Sequence, residues 1–89
     1  MTLYYTNPEI LNADLEESVV LMNTETLTYY EVTGVATRIL EILALAPSSE
    51  DSVCRDLMLE FDVSEDHCKS TVQSFLKDAL RSGIIRVSE

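Results

Sequence analysis

The chain has 89 residues, of which 46% are hydrophobic and 25% charged. That length supports one domain with one core and leaves little for a deep catalytic pocket. A net charge of −10 argues against nucleic acid and anionic membranes as partners, because their phosphates call for a basic surface.

In chain order, residues 1–8 are expected to be a flexible N-terminus and residues 9–89 a single domain. Ile10, Ala13 and Leu15 lie in a short first strand with loose alternation. Ser18–Asn23 is β-rich and bounded by acids and Asn. Thr24-Glu25-Thr26 reads as a turn, although it lacks the Gly that a tight hairpin prefers. Leu27-Thr28-Tyr29-Tyr30-Glu31-Val32 then reads as a third strand, paired antiparallel with the second. Thr28, Tyr30 and Val32 share one of its faces, and Leu27, Tyr29 and Glu31 the other.

The rest reads as helices. Thr33 is the expected cap of a helix running to about Leu45, with Val35, Ile39, Ile42 and Leu43 as its apolar stripe. Pro47 and two serines interrupt it. Ser48 or Ser49 caps a second helix, with Glu50 and Asp51 where the helix dipole favours acids. Its expected buried face is Val53, Leu57, Met58 and Phe61. Ser64 caps a third helix, whose stripe is Val72, Phe75, Leu76 and Ala79 and whose end is Gly83. Ile84–Val87 reads as a short final strand. The fold class is α+β: a three-stranded antiparallel sheet followed by three helices, in a winged helix-turn-helix-like arrangement.

No Ser/His/Asp set, Gly-rich phosphate loop or metal-ligand spacing is present, so no catalytic residue, metal or cofactor is expected. His67 and Cys68 are adjacent, and adjacent helical side chains diverge by about 100° rather than converge. Cys54 and Cys68 are expected to be free thiols that pack as small apolar groups. The N-terminus has neither the basic start nor the apolar stretch of a signal peptide. No apolar run approaches the ~20 residues that span a bilayer. A cytoplasmic protein follows as the expectation.

Several local patterns, in this order and spacing, resemble the PqqD-like family, the recognition elements of ribosomal peptide maturation. They are Val19-Val20-Leu21-Met22-Asn23, Tyr29-Tyr30-Glu31-Val32-Thr33-Gly34, Ile39-Leu40-Glu41-Ile42-Leu43, Val72-Gln73-Ser74-Phe75-Leu76 and Gly83-Ile84-Ile85. The resemblance implies a non-enzymatic, winged-helix-like domain that binds the leader of a precursor peptide. The leader would add as a strand to the third strand and pack against the third helix. It would be presented to a modifying enzyme such as a radical-SAM enzyme, leader protease or cyclase.

On that reading the peptide-binding residues are Leu27, Thr28, Tyr29, Tyr30, Glu31 and Val32 of the strand. The third helix adds Lys69, Val72, Gln73, Leu76, Lys77 and Leu80. Charge placement supports the helix as a recognition element. Residues 1–66 carry fourteen acids and two bases, net −12, whereas residues 67–89 carry Lys69, Lys77, Arg81 and Arg86 against two acids, net +2. The row Lys69, Gln73, Leu76, Leu80 reads as a groove floor with basic rims. Two other readings of the same elements are a winged-helix DNA-binding regulator and a dimerisation module that pairs through the open strand.

Overall fold

Alternation along the two β-rich segments builds the central hairpin. The computed structural model describes residues 2–88, so Met1 and Glu89 lie outside the described residues. The elements are β1 (Leu3–Thr6), β2 (Ile10–Asp14), β3 (Ser18–Asn23), β4 (Thr28–Thr33), α1 (Val35–Leu45), α2 (Glu50–Glu60), α3 (Glu65–Arg81) and β5 (Ile85–Ser88). Strands β2, β3 and β4 form the expected three-stranded antiparallel sheet, and the three helices follow it. The strand read third in the sequence is β4. Its register sets Val32 beside Val19 and Tyr30 beside Leu21 on the face that meets the helices. That face joins Ile39, Leu43, Leu57, Val72 and Leu76 in one core cluster.

The β3–β4 turn closes without glycine. Asn23 Oδ1 accepts the amides of Glu25 at 2.9 Å and Thr26 at 3.3 Å, and the Leu27 amide donates to the Asn23 carbonyl at 2.7 Å. The left-handed residue that ends the turn is Leu27, with φ 57°. A left-handed L-residue costs about 1–2 kcal/mol. Leu27 was expected in the strand; it lies in the loop instead.

Helix starts follow the capping rules, with one exception. Ser49 accepts the Ser52 amide, and Ser64 accepts the His67 amide. The cap of α1 is Gly34 (φ 59°), with no side-chain bond, rather than Thr33. Thr33 is still held in β4, opposite Ser18, and is not free to cap. Past the end of α3, Gly83 (φ 77°) donates to the Leu80 carbonyl and Ile84 to the Ala79 carbonyl. These two bonds make a Schellman ending, which places Ile84 in the core. In α2 the buried residues are Val53, Cys54 and Leu57, whereas Met58 and Phe61 are 39% and 38% exposed. Cys54 takes the expected place of Met58 because α3 crosses there. The Cys68 thiol donates to the Cys54 carbonyl at 3.7 Å.

The N-terminal segment is not loose over its described residues. β1 pairs antiparallel with β5, with Tyr4 opposite Val87. Tyr4 and Ser48 exchange two backbone bonds, at 2.8 and 2.9 Å. Asn7 is 5% exposed; its Nδ2 donates to the Gly83 carbonyl at 2.8 Å and its Oδ1 accepts the Glu9 amide at 2.9 Å. Asn7→Ala should therefore lower stability by about 1–3 kcal/mol, since it leaves the part-buried Gly83 carbonyl and Glu9 amide without their partner. Urea unfolding measures this, and an unchanged midpoint would contradict the anchored N-terminus.

Both cysteines are free and buried, as their spacing suggested. Burial, with Cys68 beside it, pushes the Cys54 thiol up from 9.0 to about 11. The unfolded chain therefore loses this proton first as pH rises. The contribution to stability is complete below pH ~9 and fades as pH climbs through about 11. The wild-type urea midpoint should fall over that window more than the midpoint of Cys54→Ala does. Parallel declines in the two proteins would contradict the assignment.

Candidate functional site

β4 pairs with β3 on one side, and among the described residues no strand pairs with its other side. Such an edge offers a row of backbone N–H and C=O groups to an added strand. Thr28, Tyr30 and Val32 turn toward the helices, and Tyr29, Glu31 and Thr33 turn away. Tyr30 and Val32 are half-buried against the core, whereas Tyr29 is 68% exposed. The Tyr30 hydroxyl donates to the Ser82 carbonyl at 3.3 Å, tying the strand to the end of α3.

That bond identifies the flank of α3 that meets β4. Ser82 lies eleven residues after Thr71 and seven after Phe75, so helical spacing sets the three on one row. Phe75 packs half-buried at the edge of the core. Thr71 opens on a small apolar hollow of about 60 Å³, walled by Val35, Leu57, Phe61 and Val63, with His67 also lining it. Only Gly34 separates Val35 from β4, so the hollow lies at the C-terminal end of the open edge. The candidate site thus consists of an open strand, the flank of α3 that Ser82 ties to it and an apolar hollow at one end.

The other expected helix residues lie elsewhere. Gln73 Nε2 donates to Glu50 Oε2 of α2 at 3.1 Å. The row Lys69, Gln73, Leu80 therefore runs along the flank opposite Phe75. Val72 and Leu76 are 0% and 2% exposed, covered by the core. Lys77 and Arg81 are exposed, and Arg81 pairs loosely with Asp78 at 3.9 Å. Arg86 reaches Glu25 at 3.8 Å. Exposed pairs of this kind contribute little stability. The structure thus sets Thr28, Tyr30 and Val32 on the helix-facing side of β4, ties Tyr30 to Ser82 at the end of α3, and sets Lys69, Gln73 and Leu80 on the flank of α3 nearer α2.

Sequence reasoning did not assign Thr71 or the hollow. Phe75 was read only as core. Periodicity gives the rows of a helix but not the row that faces the sheet. Among the described residues, no group of three or more His, Cys, Asp or Glu is placed to hold a metal, and no helix is long and apolar enough to cross a membrane.

The fold has solved counterparts. The chain superposes on the structure described as "TbiB1 in Complex with the TbiA(beta) Leader Peptide" with TM-score 0.83 and 18% identity, over 92% of this chain and 94% of that one. It superposes on "Lasso peptide synthetase B1 complexed with the leader peptide" with TM-score 0.80 and 19% identity, over 93% and 96%. No curated protein matches the chain by sequence. The family described as Coenzyme PQQ synthesis protein D (PqqD) matches residues 18–85, which run from the first residue of β3 to the first residue of β5. That span holds the open strand, all three helices and most of the core, and the chain belongs to the PqqD family.

Proposed function

We propose that this chain binds the leader of a ribosomally made precursor peptide as an added strand on β4. It then presents the leader to a separate modifying enzyme in the cytoplasm, doing no chemistry itself. The observation that carries this reading is the open edge of β4 beside the Phe75 flank of α3. The same fold is found in two proteins whose structures hold leader peptides. Main-chain bonds along β4 supply affinity that tolerates sequence variation, and pockets for alternate side chains supply selectivity. The hollow beside Val35 and Thr71 takes the end of one apolar leader side chain. Holding the precursor near its enzyme raises local concentration, which is the gain such a partner provides.

Titration calorimetry tests the reading, with a synthetic leader from a precursor reading frame beside the gene. One leader should bind per chain. Phe75→Ala, checked for folding by circular dichroism, should weaken binding by about 1–3 kcal/mol, as expected for a lost apolar contact. Charge reversal at Lys69 should leave affinity nearly unchanged. Loss of binding in Leu80→Ala with full binding in Phe75→Ala would move the groove to the other flank of α3.

A further inference from the structure

β2 is the second edge of the same sheet, and no described strand pairs with its outer side. Its sequence, Ile10-Leu11-Asn12-Ala13-Asp14, contains neither the Lys nor the Pro that commonly protect an edge. Leu11 on it and Leu15 just past it are 58% and 55% exposed. Between β2 and α1 opens a pocket of about 380 Å³. Ile10 and Leu40 contribute its apolar surface, and Asn12, Asp14, Thr37 and Glu41 its polar one. Asp14 makes no ion pair among the described residues, and Glu41 shares Arg38 with Glu60. The rim therefore stays negative. The Thr37 hydroxyl oxygen is buried without a hydrogen-bond partner.

We infer that β2 is a second docking edge, which takes an extended segment of the modifying enzyme bearing Lys or Arg at alternate positions. This inference rests on the leader-binding role proposed for β4. A strand added to β2 directs every second side chain over the pocket. A Lys or Arg there lays its aliphatic stem on Ile10 and Leu40 and brings its charged head to Asp14 and Glu41. A second copy of this chain is a poor occupant, because it would set Glu9, Asp14, Glu16 and Glu17 of each β2 region against their counterparts. With both edges filled, leader and enzyme segment are the outer strands of a five-stranded sheet. Four strand spacings place them roughly 19 Å apart.

The test uses the full chain and two labelled synthetic heptapeptides, one alternating Val and Lys, the other alternating Val and Glu. The Val–Lys peptide should bind at least tenfold more tightly than the Val–Glu peptide and slow amide exchange in residues 10–14. The double variant Asp14→Lys, Glu41→Lys should lose at least tenfold in affinity for it. Asp51→Lys, Asp62→Lys, with the same change in net charge on α2 and the loop after it, should lose far less. Protection in residues 28–33 instead, equal losses in both double variants, or self-association through residues 10–14 in sedimentation would each overturn the inference. The two roles fail separately. If the leader does not protect β4 while the Val–Lys peptide protects β2, leader binding is wrong and the second edge stands; the reverse pattern removes only the second edge.

Discussion

Leu76→Ala is expected to lower the free energy of unfolding by about 2–5 kcal/mol, and Leu80→Ala by about 1–2 kcal/mol. The two residues are one helical turn apart and look alike in the sequence. Leu76 is 2% exposed and sits in the same cluster as Ile39, Leu57 and Val72, whereas Leu80 packs half-buried at the margin of that cluster. Truncating Leu76 removes a fully covered side chain and leaves a cavity that the two neighbouring helices cannot close. A domain of this size has about 5–15 kcal/mol in total, so the variant stands near the limit of folding. A loss of leader binding in Leu76→Ala would therefore report unfolding rather than recognition. Urea denaturation of both variants decides the matter; equal losses, or a larger loss at Leu80, would contradict the placement of Leu76 in the core.

The largest expected effect on binding comes from changing the leader's backbone. A strand added to β4 bonds through alternate amides, since successive groups of a strand point to opposite edges. Leaders carrying N-methyl groups on alternate residues should fall into two classes. In one phase the methyl groups point away from β4 and affinity holds. In the other they remove about three bonds, each worth about 1 kcal/mol net. That sum corresponds to roughly a hundredfold loss, at 1.4 kcal/mol per tenfold. Equal losses in both phases would mean that the leader does not bind as a strand.

Much of the fold was legible because the signals were local. Ser49 and Ser64 capped the helices from which they were read, Gly83 ended α3, and alternation placed Tyr29 and Tyr30 on opposite faces. The errors arose where distant residues decide. Nothing local to Leu3–Thr6 shows that its partner is β5, or that Asn7 finds the Gly83 carbonyl 76 residues away. Thr33 looked like a cap because its pairing with Ser18 is a tertiary fact. The site divides in the same way. The strand could be read from residues 27–32, one residue early at each end, and the openness of its edge came from the family resemblance. The flank of α3 could not, because it depends on two bonds, Gln73 to Glu50 and Tyr30 to Ser82, which join helix to helix and strand to helix. The C-terminal concentration of bases does not by itself choose a flank; in the fold Lys69 shares its row with Gln73 rather than with Phe75.

The most direct measurement is amide hydrogen exchange of the chain with and without the leader. Strand addition predicts slowed exchange in β4, over residues 28–33, with smaller changes where Thr71 and Phe75 of α3 face it. Protection confined to α2 or to the Lys69–Gln73–Leu80 flank, with β4 exchanging as in the free protein, would contradict it.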